Sequence, residues 1–232
     1  GMMTEVLEKR QSHRKILTYE RHIEYTYESI KPHTAMIVQT EIGRNLRAIP
    51  DGINGEPGMS GFTRAVRNSL RRSPSIILVG ESRDRETIEA SLEASETGHA
   101  LFTTVHGNDS VSEVFYRIIN FFPPEERVNK LYEVVRALRL IVIQRLERSV
   151  TGTRVPLREF LVFTPKVRNA LATLSTLQEA TLRIDDLVQS DGQSMAKSAQ
   201  LRYDEGLLPE AALQKYLLRA REHDNLKSTT SS

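Results

Sequence analysis

The chain has 232 residues and no cysteine, and its 32 basic and 30 acidic side chains give a formal net charge of +2. This length suits one large α/β domain, or such a domain with a smaller appendage, and the near balance of charge excludes a dominant basic field for nucleic acid or anionic lipid. The lack of cysteine excludes disulfides and fits a reducing compartment such as the cytoplasm. The apolar runs are only a few residues long, far below the roughly 20 residues that a membrane-spanning helix needs.

The first elements predicted along the chain are a helix and two strands. A short charged helix is expected over 4–13, followed by a strand over Lys15–Glu20 that ends in an acid and a second strand over Thr34–Thr40. Glycine, proline and asparagine are frequent over 43–61, which predicts a long loop of the kind that is usually functional or mobile. The apolar spacing after this loop predicts a helix over Phe62–Arg72.

The middle of the chain alternates strands and helices. The four consecutive aliphatic residues Ile76–Val79 suit a central strand of a parallel sheet, where both faces are covered. Asp84 is placed to cap the next helix and Gly98 to end it. A strand over His99–His106 and a helix over 111–119 follow. This order predicts an α/β fold with a mostly parallel sheet.

A long helix is predicted after this alternating region. Pro123 and Pro124, with two glutamates behind them, favour a helix start. An apolar stripe is expected to carry the helix to about Leu146. The stripe consists of Val128, Leu131, Val135, Leu138 and Val142.

The C-terminal part is predicted to change from strands to helices. Two strands are expected around a Thr-Gly turn, and Val155–Phe163 is the stronger of them. From Thr164 onward the sequence predicts three or four helical segments. Residues 227–232 contain too few apolar side chains to be ordered by themselves. We therefore expect a core over 1–163, a helical subdomain over 164–226 and a disordered tail over 227–232.

Several side chains with acid–base chemistry fall at the ends of predicted strands. These residues are Glu20, Glu81, Asp84, His99 and His106. Neighbouring strands of a parallel sheet bring such ends together, and ligands bind beyond the carboxyl ends of the strands. A carboxylate at the tip of an apolar strand suits nucleotide hydrolysis, because it orients an attacking water or a magnesium-bound water. The alternative is that Glu81 and Asp84 only cap the helix that follows them.

A phosphate-binding loop is missing from the sequence. Nucleotide hydrolysis of this kind needs a glycine-rich loop followed by lysine and by serine or threonine. The 232 residues contain no Gly-Lys dipeptide, and the glycine-rich stretch 52–61 has no lysine. The sequence therefore supplies candidate catalytic carboxylates without the loop that would hold the phosphates.

The stretch 80–110 resembles the joined Walker B and His-box signature of the secretion-superfamily ATPases, the ring motors of type IV pili and of type II and type IV secretion. The Gly-Glu-x-Arg-Asp-x-Glu-Thr pattern is matched at Gly80, Glu81, Arg83, Asp84, Glu86 and Thr87. The second pattern, Thr-Gly-His followed by His-x-Asn, is matched at Thr97, Gly98, His99, His106 and Asn108. The resemblance extends from Ile16 to about Leu218 and favours the plasmid-transfer and Dot/Icm-type branch.

The resemblance implies a fold and a cellular setting. It implies a partial RecA-like core with a mostly parallel sheet over 1–163, which lacks the N-terminal domain and phosphate loop of the family, and an all-helical C-terminal subdomain. It also implies a homo-oligomer, a hexameric ring in the intact protein, that uses ATP and Mg²⁺. Such a protein would be cytoplasmic and peripheral to the bacterial inner membrane, with inner-membrane secretion or pilus components as partners and no direct DNA binding.

The resemblance also assigns roles to individual residues. Glu81 would be the Walker B carboxylate, Glu20 a second catalytic carboxylate, and His106 a sensor of the γ-phosphate. Two further residues are predicted to bind the nucleotide. Arg83 would contact phosphate or a neighbouring subunit, and His99 would contact the nucleotide unless it satisfies a backbone carbonyl at the start of its strand. The metal ligands stay unassigned.

Two departures from the family pattern bear on function. The family's Asp box reads Glu-Asp-Pro, whereas Glu20 is followed here by Arg21 and His22, so the role of the aspartate is not carried over. The family's phosphate loop precedes the Asp box by one helix, so the helix over 4–13 is expected to be the remaining part of that helix. We therefore expect this chain alone to be inactive and to bind ATP and Mg²⁺ weakly.

Two other functions are compatible with the sequence. In the first, the chain is a non-catalytic ring or scaffold component of a secretion apparatus. In the second, it is a metal-dependent hydrolase. The hydrolase reading would use Glu81, Asp84, His99, His106 and Asp109. These five residues lack a recognised metal-ligand spacing, which disfavours that reading.

Overall fold

The computed structural model describes residues 14–27, 35–48, 59–106 and 110–230, with side chains described as far as Arg221. The chain divides into two compact units, and the division falls between His106 and Gly107. The helix predicted over 4–13 and most of the predicted loop over 43–61 lie outside the described residues.

The first unit contains a four-stranded sheet in which every neighbouring pair is parallel. Its strand order is β2-β1-β3-β4. The strands are β1 (Lys15–Glu20), β2 (Met36–Glu41), β3 (Ile76–Val79) and β4 (Ala100–Thr103), and the helices are α1 (Gly61–Leu70) and α2 (Arg85–Glu96). The predicted α/β class with a parallel sheet is confirmed.

The core of the first unit lies around the two central strands. Leu17 of β1 and Ile77 of β3 are fully buried, because their side chains lie in one apolar cluster on a face of the sheet. Helix α1 packs Phe62 and Val66 into the same apolar cluster. The Ser60 hydroxyl caps this helix by accepting a hydrogen bond from the Thr63 amide at 3.2 Å, which fixes where α1 begins.

The second unit consists of a β-hairpin and several helices. Strands β5 (Leu140–Arg148) and β6 (Arg154–Val162) form an antiparallel pair. The helices are α3 (Val111–Asn120), α4 (Arg127–Ala137), α5 (Pro165–Ala172), α6 (Leu177–Asp191), α7 (Met195–Asp204) and α8 (Glu210–Thr230). Val155 and Leu157 of β6 pack against Ala199 of α7 and Leu213 of α8, so the hairpin and the C-terminal helices share one core.

The prediction of a long helix that reaches Leu146 is wrong, because α4 ends at Ala137 and β5 follows. Leu138 adopts an extended conformation, which ends the helix. Burial then alternates with a period of two: Leu140 and Val142 are 40% and 42% exposed, whereas Ile141 between them is 6% exposed. The last residues of the predicted helical stripe therefore belong to a strand. Because this strand has apolar residues on both faces, its sequence also fits helical spacing.

The start of this helix also differs from the prediction. The prolines Pro123 and Pro124 lie in a turn, in which the Glu126 amide donates to the Pro123 carbonyl at 3.0 Å. Helix α4 begins only after Glu126, whose side chain makes no capping hydrogen bond.

The C-terminal part agrees with the prediction in its elements and differs in its grouping. The two strands turn at Gly152, which has a φ of +82°, and four helices follow β6. The predicted boundary at 163/164 falls inside the second unit, because β6 packs against α7. The backbone of α8 continues to Thr230, into the segment 227–232 that the sequence predicts to be disordered.

No helix among the described residues combines the length and the apolar character that crossing a membrane requires.

Candidate active site

Three carboxylates lie at the carboxyl edge of the parallel sheet. Glu20 ends β1 and Glu41 ends β2, and the two residues are opposite each other in the strand register. Glu81 follows the last residue of β3 by two positions. Because the carboxyl edge of an open parallel sheet is where α/β proteins bind ligands, this is the candidate site.

Gly80 lets the ends of β1 and β3 approach each other closely. Its amide donates to the Tyr19 carbonyl at 2.7 Å. A Cβ atom at this position would lie 3.1 Å from the Tyr19 carbonyl oxygen and 3.3 Å from the Glu20 Cα atom. A larger residue would push the two strand ends apart, so the glycine places Glu81 next to the end of β1.

The segment after Gly80 is also held from the side of β4. The Thr104 hydroxyl donates to the Gly80 carbonyl, and the Ser82 amide donates to the Thr104 carbonyl at 2.9 Å. The Ser82 and Thr103 hydroxyls lie 2.9 Å apart within hydrogen-bond distance. Backbone and hydroxyl contacts from both neighbouring strands therefore fix the residues that flank Glu81.

Both oxygens of Glu81 lie within ion-pair distance of an arginine, but one of them has no hydrogen bond. Its side chain is 15% exposed, and its Oε2 atom lies 2.6 Å from Arg83 Nη2. Its Oε1 atom is buried without a hydrogen-bond partner among the described residues, although Arg21 Nε is 3.4 Å away. Buried polar atoms are normally satisfied, so this oxygen is suited to a water or ligand donor.

Glu20 is held by side chains from its own strand and from β2. Its Oε1 atom accepts hydrogen bonds from the Thr18 hydroxyl at 2.8 Å and from Gln39 Nε2 at 3.3 Å. Gln39 also donates to the Tyr25 carbonyl at 3.0 Å and accepts from the Tyr27 amide at 3.1 Å. Gln39 thus fixes both the carboxylate and the loop that follows β1.

Tyr27 lies beside this carboxylate. Burial raises the pKa of Tyr27, and the negative charge of Glu20 raises it further. The phenol therefore stays protonated over the physiological pH range.

Thr18 and Gln39 were not predicted from the sequence as site residues. A signal was present, because each stands two positions before the acid that ends its strand. Residues two positions apart on a strand share a face. The two strands thus repeat a polar-x-Glu pattern that points to one polar surface at the sheet edge.

The capping alternative applies to Asp84 and not to Glu81. Asp84 Oδ1 accepts a hydrogen bond from the Thr87 amide at 2.7 Å, which caps α2. The Glu81 carboxylate contacts arginine side chains instead of helix amides. Arg83, which pairs with it, has a side chain that is half exposed.

The two predicted histidines lie at opposite ends of β4. His106 follows Thr103, the last residue of that strand, at the same edge as Glu81, and it is exposed. His99 precedes the strand, and its Nδ1 atom is 3.0 Å from the Thr97 hydroxyl oxygen. The structure therefore groups Glu20, Glu81 and Arg83 at one edge, with His106 after the neighbouring strand, and it separates His99 from them.

Within the described ranges, no three or more side chains of histidine, cysteine, aspartate or glutamate are grouped so that they would hold a metal ion. Asp109, the fifth residue of the metal-hydrolase reading, lies outside those ranges.

Comparisons with known proteins give a consistent family. The family described as "Type II/IV secretion system protein" matches residues 2–207. The chain is 36% identical over 156 residues to the type IV pilus retractation ATPase PilT of Pseudomonas aeruginosa, a match that covers 67% of this chain and 40% of PilT.

Solved structures are similar over most of the chain. The Legionella pneumophila ATPase DotB matches with a TM-score of 0.82 and 37% identity, over 94% of this chain and 55% of DotB. The pilus retraction motor PilT with bound ADP matches with a TM-score of 0.71 and 26% identity, over 88% of this chain and 53% of PilT. The chain thus spans about half the length of these relatives.

Proposed function

The chain belongs to the type II/IV secretion system protein family, and we propose that it is the part of a hexameric motor ATPase that carries the catalytic carboxylates. The predicted membership of the secretion-superfamily ATPases is confirmed, and the likeness to the Dot/Icm-type branch is supported by DotB. In the intact protein, hydrolysis of ATP would drive a secretion, conjugation or pilus apparatus.

The observation that carries this proposal is the Oε1 atom of Glu81. A buried carboxylate oxygen without a hydrogen bond is suited to accept one from the water that attacks the γ-phosphate, or from a water bound to magnesium. Magnesium, when bound, supplies positive charge that stabilises the phosphate oxygens. Glu81 and Glu20 fit such an ion, because magnesium prefers carboxylate and water oxygens.

The other site residues receive complementary roles. Glu20 is a pre-positioned second carboxylate, since Thr18 and Gln39 already hold its Oε1 atom. His106 would donate a hydrogen bond to the γ-phosphate and so distinguish ATP from ADP. The Arg83 side chain is half exposed, so its guanidinium would leave Glu81 and contact a phosphate or a neighbouring subunit.

His99 has weaker support as a nucleotide ligand. The family resemblance predicts that role, but the contact with Thr97 supports the other reading, in which His99 stabilises the turn before β4.

The 232 residues alone are proposed to be inactive. They contain no Gly-Lys dipeptide, so the amide cradle and the lysine that hold the phosphates must come from outside them. We expect no ATP turnover by the purified chain above that of a Glu81→Gln variant, measured as phosphate release in Mg²⁺. Turnover that the variant lacks would contradict the proposed dependence on a separate phosphate loop.

The transport system is proposed from the relatives. The identity and TM-score are higher for DotB than for the PilT structure, which favours a type IV secretion or conjugation motor over a pilus motor. Such a motor would lie in the cytoplasm against the inner membrane and would contact inner-membrane secretion components. Direct DNA binding is not expected, because the net charge is only +2.

The alternative function is a non-catalytic ring or scaffold component. The observation that favours it is the same lack of a phosphate loop within the sequence. The coding sequence upstream of Met3 discriminates the two functions. An in-frame Gly-x-x-x-x-Gly-Lys-Ser/Thr motif supports the enzyme, and a stop codon directly upstream supports the scaffold.

A further inference from the structure

Arg21 is a charged residue of the candidate site that the proposed hydrolysis does not use. It directly follows Glu20, the last residue of β1. It stands where the Asp box has aspartate, so the charge at this position is reversed in this chain. Its guanidinium faces the Glu81 carboxylate, with 3.4 Å between Arg21 Nε and Glu81 Oε1. An arginine therefore lies beside the carboxylate oxygen that the proposed hydrolysis uses.

The contact between Arg21 and Glu81 is a weak one. Because Glu81 Oε1 has no hydrogen-bond partner among the described residues, the two groups form an ion pair without a hydrogen bond. The Arg21 side chain is 60% exposed, and exposed ion pairs contribute little to stability. Arg83 is held more closely, with its Nη2 atom 2.6 Å from Glu81 Oε2. Arg21 therefore leaves Glu81 more easily than Arg83 does.

The backbone around Arg21 is fixed even though its side chain is exposed. On one side, the Glu20 carbonyl accepts a hydrogen bond from the Ile42 amide at 2.7 Å. On the other side, Gln39 Nε2 donates to the Tyr25 carbonyl at 3.0 Å. Both bonds tie the chain around residue 21 to β2 and the residue after it. The guanidinium can therefore move from the carboxylate to a nearby anion without a movement of the backbone.

The geometry of hydrolysis places a phosphate close to this guanidinium. A water held by Glu81 lies within hydrogen-bond reach of Oε1, and the phosphorus that it attacks lies about 3–3.5 Å beyond the water. The γ-phosphate is therefore expected within roughly 6 Å of Oε1. Arg21 Nε is 3.4 Å from the same oxygen. Because a guanidinium binds phosphate through two parallel hydrogen bonds, the phosphate is the stronger partner for it.

The carboxyl edge of the sheet also needs positive charge before it can accept a chain of phosphates. Three carboxylates lie there, those of Glu20, Glu41 and Glu81, and each repels a phosphate group. Arg21 and Arg83 place two positive charges against one of these carboxylates. Loss of Arg21 would leave the edge more negative and would weaken the binding of phosphate.

We propose that Arg21 is a phosphate-binding residue, whose guanidinium exchanges the Glu81 carboxylate for the terminal phosphate of a nucleoside triphosphate. This role rests on the proposed function of Glu81 in ATP hydrolysis. The exchange brings positive charge to the phosphate oxygens, which is the main requirement of phosphoryl transfer. It also leaves Glu81 Oε1 to the attacking water.

The test uses the 232-residue chain and tripolyphosphate, which carries the phosphate groups of ATP without its base and sugar. An NMR titration at constant ionic strength, adjusted with sodium chloride, follows the Nε–H signal of Arg21 and the backbone amides of residues 80–84. These amides also report the dissociation constant in variants that lack the arginine side chain.

Arg21→Ala is compared with the control Arg71→Ala, which removes an exposed arginine at the opposite edge of the sheet. Arg71 directly follows the last residue of α1 and is exposed. The carbonyl of the next residue, Arg72, accepts a hydrogen bond from Lys15 Nζ at 2.6 Å. Since Lys15 is the first residue of β1, this arginine lies at the amino edge, away from Glu81.

We expect the Arg21 Nε–H signal to shift when tripolyphosphate is added. The dissociation constant should rise by at least about fivefold in Arg21→Ala and by less than about twofold in Arg71→Ala, since only the first substitution removes a charged hydrogen bond to phosphate. Arg21→Lys keeps the charge and loses the forked geometry. Its dissociation constant should lie between those of the wild type and Arg21→Ala.

An Arg21 signal that does not respond to tripolyphosphate would overturn this role. Equal weakening of binding in Arg21→Ala and Arg71→Ala would overturn it too, because general attraction between basic residues and an anion would then explain the binding. Neither readout involves hydrolysis. A failure of the proposed ATPase function would instead appear as missing turnover after a phosphate loop has been supplied, so the two failures are distinguishable.

Discussion

The carboxylates of Glu81 and Asp84 stand three positions apart in the chain and have opposite effects on the free energy of unfolding. Asp84 caps α2 through the Thr87 amide, which stabilises the fold. Glu81 keeps a buried oxygen without a hydrogen bond, which costs free energy of folding. Its two arginine partners are at least half exposed, so solvent weakens their electrostatic stabilisation of the Glu81 carboxylate.

We expect Glu81→Gln to leave the free energy of unfolding within about 1 kcal/mol of the wild type or to raise it. In contrast, Asp84→Ala should lower it by about 0.5–2 kcal/mol through loss of the cap. Urea titration of both variants measures these differences. A loss in Glu81→Gln of more than about 1 kcal/mol would mean that Glu81 is a structural residue.

A second residue-level prediction concerns Tyr216 and Glu147. Burial and the hydrogen bond to Glu147 raise the pKa of Tyr216 to about 12. The same hydrogen bond is the largest of the effects that lower the pKa of Glu147. The folded state therefore holds the phenolic proton more tightly than the unfolded state, and this contribution to stability is lost as the pH rises from about 10 to about 12.

In Tyr216→Phe, the unfolding free energy should fall less steeply than in the wild type over that alkaline range. The Glu147 carboxylate also stabilises the folded state, but with the opposite pH dependence. Its contribution is present above the ordinary glutamate pKa and is lost as the pH falls through the lowered pKa. The loss of unfolding free energy at acid pH should also be smaller in Tyr216→Phe than in the wild type. Denaturant titrations at fixed pH values test both effects, and parallel curves for the two proteins would contradict them.

At the residue scale, the sequence indicated Glu20 and Glu81 because Glu20 ends one strongly patterned strand and Glu81 closely follows another. The role of Gln39 was not predictable in the same way. The polar-x-Glu spacing indicates the face of the strand on which Gln39 lies, but its contact with Glu20 depends on the pairing of β1 with β2, which that spacing does not specify.

At the scale of elements, short strands with aliphatic cores were predicted well and the hairpin was predicted only in part. Ile76–Val79 is the strand that its four aliphatic residues indicate. Most of strand β5 was assigned to a helix that ends near Leu146, because Leu138 and Val142 continue the spacing of α4. The deciding contact is the pairing of β5 with β6, which is a tertiary feature that local spacing does not contain.

The junction of β6 with the helix pair α6 and α7 gives a prediction at this scale. A Cβ atom on Gly192 would lie 2.4 Å from the Phe160 carbonyl oxygen and 3.1 Å from the Val188 Cα atom. Both contacts are with backbone, so the strand and helix must separate to accommodate them. We expect Gly192→Ala to lower the unfolding free energy by about 1–3 kcal/mol.

The exposed neighbour Ser190 provides the control, and Ser190→Ala should change the unfolding free energy by no more than about 0.5 kcal/mol. Thermal or denaturant unfolding measures both variants. A Gly192→Ala protein as stable as the wild type would show that strand β6 and the α6–α7 turn tolerate separation.

At the scale of the whole molecule, the alternation of strands and helices predicted the parallel sheet, but the grouping into units was not predictable. The change of composition at Thr164 marks where helices begin. It does not mark a boundary, because β6 buries Val155 and Leu157 against the helices that follow it. Such burial joins residues that are distant in sequence, and composition alone does not record it.

The central proposal is that this chain provides the catalytic carboxylates of a motor ATPase whose phosphate loop lies outside the 232 residues. The direct measurement is ATP turnover by a chimera that joins this chain to the part of DotB that it does not cover. We predict turnover by the chimera that falls by at least about hundredfold in its Glu81→Gln variant. A folded, nucleotide-binding chimera without turnover, or turnover that Glu81→Gln leaves unchanged, would contradict the claim.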